Sequence, residues 1–141
     1  MSDAQDRLRE AYRGIVSRLG VHPSRRPLQF ERHDDGSRHF EPHGKGWEVV
    51  TTERGGEFDR RTLPNDEEAL FLQTSDLTWS MASDFELANR IEDRDCRELI
   101  SEHQVELMNQ VSLDWGARVR KKWEETFRSH PLAHSQLRGP N

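Results

Sequence analysis

Seven histidines, one cysteine and twenty-six carboxylates are the side chains in this 141-residue chain that could hold a metal or move a proton. His33, His39 and His43 have metal-like spacing, and His130 and His134 form an i, i+4 pair. Tetrahedral zinc needs three or four convergent ligands, oriented by groups behind them. The first group falls in a stretch rich in Gly, Pro and Asp with no regular element to aim it, and Pro131 interrupts any helix that would align the second. Cys96 is the single cysteine, which leaves neither an internal disulfide nor a cysteine-based zinc site. It reads as a buried thiol on an apolar helical position, as His103 reads as a core-edge imidazole with one hydrogen bond. Acid–base catalysis needs two carboxylates in a cleft with separated pKa values, whereas nearly all acids here occupy helix-surface positions. No G-x-S-x-G, Walker loop, dinucleotide fingerprint or Cys/His arrangement appears. No catalytic residue, metal or cofactor is therefore expected.

The elements that would position these residues follow from periodicity. Leu8, Ala11, Tyr12, Ile15, Val16 and Leu19 keep the i, i+3, i+4 pattern of a helix over about residues 3–19, with Asp3 and Asp6 at the positive end of its dipole and Gly20 as its stop. From Leu28 the period shortens. Leu28 and Phe30 alternate with polar residues, DDGS supplies a turn, and Phe40 belongs to a short extended piece before the breaker run PHGKG. WEVVTTERGGEFDRRTL then reads as a hairpin over about 47–54 and 57–63, turning at Gly55-Gly56. Beyond Asn65, a candidate cap, three helices are expected: about 66–90, about 94–110 carrying Cys96, Leu99, Ile100, His103 and Leu107, and one capped by Ser112 carrying Trp115, Val119, Trp123 and Phe127. The expectation is one α+β domain over 1–141: an N-terminal helix (1–20), a small antiparallel sheet of three or four strands (28–63), a helical region (65–129) and a loose tail (130–141). The start MSDAQDRLRE lacks the apolar run of a signal peptide, and no apolar run approaches the ~18 residues of a membrane span. A cytoplasmic setting and no membrane partner are expected.

Net charge is −5 and unevenly spread. Residues 65–106 carry twelve Asp/Glu against three Arg, a net of −9, while residues 107–141 carry +3 and residues 1–64 carry +1. Such a field disfavours nucleic acid and favours a basic partner. Arg118, Arg120, Lys121 and Lys122 lie near Trp115 and Trp123, but those tryptophans sit on the core stripe, so the basic residues read as a solvated face. On the second helix Leu70, Thr74, Leu77, Thr78, Met81, Phe85 and Ala88 share one broad face. Trp79 points the other way, beside Leu72, Asp76, Glu86 and Arg90. The helix either lies centrally, which is the first reading, or presents Trp79 as an apolar anchor inside a polar rim. Asp76, Trp79, Glu86, Arg90, Glu92 and Asp93 are the candidate partner-binding residues. Asp84, at the margin of the core face, is a structural carboxylate expected to pair with Arg94 or Arg97.

The run EEALFLQTSDLTWSMASDFELANRIEDRDCRELISEHQVELM, with Trp115 and His130-Pro131 after it, resembles the immunity protein 63 family of bacterial polymorphic toxin systems. Ser80-Met81-Ala82-Ser83-Asp84, Glu86, Arg90, Asp95-Cys96-Arg97, Gln104 and Glu106-Leu107 carry the likeness, which covers about residues 47–131. The resemblance implies a β-rich front before a helical half. It also implies a non-enzymatic protein that neutralises a cognate toxin by binding it stoichiometrically, and it does not name the toxin's activity. The alternatives are an acidic adaptor module in an unrelated pathway and, third, a small enzyme of unknown class.

Overall fold

The computed structural model describes residues 3–133. An N-terminal helix, α1 (Asp3–Leu19), precedes three strands, β1 (Asp35–His43), β2 (Gly46–Glu53) and β3 (Gly56–Leu63). Three helices follow: α2 (Asp66–Ala88), α3 (Cys96–Val111) and α4 (Leu113–Ser129). The fold is the α+β arrangement expected, with a three-stranded antiparallel sheet in the order β1-β2-β3. The chain divides into two compact units, Met1–Thr74 and Ser75–Asn141, with the boundary inside α2. Of the expected loose tail (130–141), residues 134–141, His134 among them, lie outside the described residues, whereas His130, Pro131 and Ala133 are held by backbone hydrogen bonds to Arg97 and Asp95 rather than loose.

In the first unit, α1 buries Leu8, Tyr12, Val16 and Leu19. It ends as expected at Gly20, whose φ of 70° only glycine adopts without cost. The Gly20 N–H donates to Ser17 O (3.1 Å) and the Val21 N–H to Val16 O (3.3 Å), the paired bonds that satisfy the last carbonyls of a helix in a Schellman motif. Leu8, Phe40, Trp47, Val49 and Ala69 form the core, with Leu28, Phe30 and Leu63 packed on it. Leu28 and Phe30 are not a strand. They form an extended connector joined to β1 by one backbone bond, Phe40 N–H to Gln29 O (2.9 Å), and held by Tyr12 Oη and Gln73 Nε2, which both donate to Arg26 O (2.7 and 3.1 Å). Apolar alternation here reflects packing on one side without a ladder on the other.

β1 is longer than the short piece expected around Phe40 and contains His39 and His43. The Gly/Pro-rich composition concealed a strand, and PHGKG is its turn: His43 pairs with Gly46 around a Gly44-Lys45 loop. The second hairpin turns one residue early. Glu53 pairs with Gly56, so the loop is Arg54-Gly55, both at positive φ (51° and 82°), as a type I′ turn requires. Gly56 already belongs to β3. The one-residue offset is absorbed by a bulge at Phe58, because Thr51 pairs with Asp59 while Thr52 pairs with Glu57. Gly46 is needed for a different reason. A side chain there would run into the carbonyl of Leu63 and the backbone of Pro64.

Asp66 ties the first unit together. Asn65 caps α2 through Glu68 N–H (2.9 Å). In the next position the Asp66 carboxylate accepts from Arg7 of α1 (Nε, 2.5 Å) and from the indole N–H of fully buried Trp47 in β2 (2.9 Å). Arg7, then Trp47, hold its pKa below the ordinary carboxylate value. Asp66→Ala leaves the buried indole donor without its acceptor, a loss of about 1–3 kcal/mol, measurable as a shift of the denaturant midpoint. Asp66→Asn, which keeps an acceptor, is expected to lose less.

The buried residues of α2 show why a fixed face misplaces its ends. Apart from Phe71, which is buried near the start of the helix, they fall on two i, i+4 rows, Ala69–Gln73–Leu77 and Thr74–Thr78–Ala82–Glu86. Such a row drifts around the helix by about 40° every four residues. By the last turn the drift leaves Phe85 (37%) and Ala88 exposed and brings Glu86 inside. Asp84 is also exposed, which corrects its placement at the core margin.

In the second unit Ser112 alone separates α3 from α4. Its N–H donates to Met108 O to close α3, and its Oγ accepts from Trp115 N–H to open α4. The helices approach closely at Gly116, where a Cβ would meet the Asn109 side chain. Cys96 is exposed rather than buried. It is the first residue of α3, one turn before that helix begins to bury side chains at Ile100.

Candidate protein-binding surface

Three features of the second unit bear on binding. The first is a half-exposed tryptophan. Trp79 is 50% exposed, which favours the exposed-anchor alternative over a buried second face. It lines an open groove of about 310 Å³ with Ser75 on its own helix, Gln104 of α3, and Val119, Lys122, Trp123 and Thr126 of α4. Behind the groove, buried Gln104 joins all three helices. Its amide N–H donates to Ser75 O (3.0 Å) and Thr78 Oγ1 (3.3 Å) on α2, and its oxygen accepts from the Trp123 indole (2.7 Å). Every polar atom of a buried amide is thereby used, so the groove wall is set before any partner arrives.

The second feature is a polar clip. Asp95 caps α3 by accepting from Arg97 N–H (3.0 Å), and its carboxylate also takes the Arg97 guanidinium (Nη2, 2.7 Å) and Ala133 N–H (2.8 Å). Arg97 reaches onward from the other side, donating to His130 O (3.0 Å) and Pro131 O (2.9 Å) and lying over the Phe127 ring. Arg97, then the Ala133 N–H, pull the Asp95 carboxyl far below the usual range. The start of α3 is thus fastened to the segment leaving α4. This corrects the expected pair: Arg97 pairs with Asp95, not Asp84, and Arg94 pairs with Glu98.

The third feature is the acidic residues themselves. Glu86 is not an open surface acid. It is buried and held bidentately by Arg90 (2.8 and 3.0 Å), which lowers its pKa. Glu92 and Asp93 are exposed in the connection to α3, with Asp93 at φ 65°, and Asp76 is half-buried. None of these four acids lines the Trp79 groove. Glu86 instead borders a small cleft with Ile91, Arg94, Asp95, Cys96 and Leu99.

The histidines are dispersed. His39 is buried in β1 with Nε2 bonded to Glu41 (2.8 Å), and His103 stacks on Phe85 with ring centroids 3.9 Å apart. Among the described residues no group of three His, Cys, Asp or Glu is placed to hold a metal, and no helix is long and apolar enough to cross a membrane. Trp115 is buried, and the basic residues of α4 are split: Lys122 lines the Trp79 groove, while Arg120 borders a second groove between α3 and α4.

Sequence reasoning missed Asp95, Gln104 and Trp123 as working residues. One signal was present: Asp95 immediately precedes the helical period and Glu98 follows three residues later, the spacing of a capped start. Searches of curated proteins and of solved structures found no match. Comparison with protein families matches residues 43–125, from the end of β1 into α4, to Immunity protein 63. That stretch is more than half of the chain, and the protein belongs to the Immunity protein 63 family.

Proposed function

We propose that this protein neutralises a cognate bacterial toxin domain by stoichiometric binding rather than by turnover, and that Trp79 is the apolar anchor of the interface. Family membership supports the immunity role. The observation that carries the site is the half-exposed Trp79 in a groove whose wall is fixed by the Gln104 hydrogen bonds. Large aromatics seated in preformed grooves dominate interface energetics, since little ordering is required on binding. The exposed acids Glu92 and Asp93, with Asp76, supply a negative field that steers a basic toxin surface, while the Glu86–Arg90 pair shapes the end of α2 instead of meeting the partner as free charge. Cytoplasmic action and the absence of direct nucleic-acid binding belong to the same reading.

Stopped-flow association with the cognate toxin domain tests it. Association is expected to accelerate as salt falls. Glu92→Gln/Asp93→Asn/Asp76→Asn should slow it several-fold at low salt and leave dissociation nearly unchanged. Association that is equally fast in the triple variant contradicts the acidic-steering part of the proposal. Failure of the wild type to bind the toxin contradicts the whole of it.

A further inference from the structure

Trp123 is shared by two grooves. One is the Trp79 groove; the other runs between α3 and α4 on its far side and is also about 310 Å³. The floor of this second groove is apolar: Val105 of α3 and the stacked pair Trp123 and Phe127 of α4, with ring centroids 5.5 Å apart. Its rim is acidic. Glu102 and Glu106 stand one turn apart along α3, Glu124 faces them from α4, and Arg120 is the one basic residue on the border. Glu102, Glu106 and Glu124 are all exposed. Among the described residues Glu102 and Glu124 enter no ion pair, and Glu106 has only a distant one with His103 (3.7 Å).

We infer that the α3–α4 groove receives a basic amphipathic helix of the toxin. The identification of the toxin as its source rests on the proposed function. The geometry points to a helix in three ways. The lining residues of α3 recur over three successive turns, from Ser101 to Asn109, a length of about 12 Å. A row of this length matches i, i+4 and i+7 anchors on a docking helix. The volume sits at the bottom of the ~300–1,000 Å³ range of small-molecule pockets, and the groove is open along its length, which suits two or three side chains better than an enclosed ligand. Three carboxylates against one guanidinium select Lys or Arg flanking the apolar stripe. Arg120 at one end orients the helix by favouring an acid there.

The test uses the whole protein and two probes. The first is a 14-residue Leu/Lys amphipathic peptide with its Leu/Glu counterpart as control, followed by the Trp123 indole N–H resonance in NMR. The second is the toxin domain. The Leu/Lys peptide is expected to shift the Trp123 resonance saturably, and the Leu/Glu peptide is not. Glu102→Lys/Glu124→Lys should weaken both the peptide and the toxin at least tenfold. Glu67→Lys/Glu125→Lys, with the same change in net charge away from the groove, should weaken neither by more than about twofold. Equal weakening by the two double variants, or peptide shifts that spare Trp123, would overturn the inference. So would a change in the protein's own self-association in the groove variant, because the occupant would then be a second copy. If the toxin binds wild type and the groove variant alike, the groove inference fails and the proposed function stands. If the peptide occupies the groove while the toxin does not bind at all, the toxin as source of the helix fails together with the proposed function, and the recognition chemistry of the groove is retained.

Discussion

Asp95→Ala should lower the free energy of unfolding by about 2.5–4 kcal/mol. Loss of the helix cap contributes about 1 kcal/mol, and loss of a charge-assisted bond to the Arg97 guanidinium about 1.5–3 kcal/mol. The same change removes the acceptor of Ala133 N–H and frees Arg97 from the geometry that holds His130 O and Pro131 O. Asp95→Asn keeps a good cap but not the charge, and should fall between the alanine variant and wild type. Denaturant midpoints of the three proteins check the order. An Asp95→Ala midpoint equal to wild type would show that the clip is ornamental. The pH dependence has a defined sign. Folded Asp95 has a depressed pKa, so it contributes stability that is present above the unfolded value of about 3.9 and is lost as pH falls below it. Asp66, lowered by Arg7 and Trp47, adds in the same direction. The Asp95→Ala protein should therefore lose less stability than wild type on acidification.

Trp79→Ala should raise the dissociation constant for the toxin by about 30-fold or more, equivalent to about 2 kcal/mol. The increase should appear in dissociation, because an apolar anchor adds little to long-range steering. The side chain is half-exposed, and its removal leaves the Gln104 bonds to Ser75, Thr78 and Trp123 intact. Thermal unfolding of the variant should therefore stay close to wild type, which separates this result from loss of fold. Trp79→Phe should recover part of the affinity. Surface plasmon resonance resolves the two rates. Unchanged dissociation in a folded Trp79→Ala protein contradicts Trp79 as anchor.

Local rules carried the sequence reading where one element decides the outcome. The α1 face, the Gly20 stop, the Asn65 and Ser112 caps and the hairpin after Trp47 all follow from spacing within a few residues. Readings failed where the decisive contact is remote or cumulative. The turn falls at Arg54-Gly55, the two positive-φ positions, and the strand behind it carries a bulge at Phe58 that alternation does not reveal. Phe85 and Ala88 were misplaced because the buried rows of α2 drift over five turns, an effect that a wheel with one fixed face cannot represent. The same drift put Glu86 inside and Asp84 outside. Proximity in sequence points to Arg94 or Arg97 as the partner of Asp84, although the partners of Arg97 include carbonyls 33 and 34 residues downstream. Trp79 was legible as a second apolar position, but whether it was covered depended on α3 and α4. Their use of Gln104 and Trp123 as a wall leaves no trace in hydrophobic period.

The most direct measurement is survival of cells that produce the cognate toxin domain together with this protein. Wild-type protein is expected to restore growth. Trp79→Ala, at equal soluble expression, is expected to restore it only when supplied in excess, as stoichiometric binding with weakened affinity demands. Growth inhibition that wild-type protein fails to relieve at any expression level would contradict neutralisation by binding.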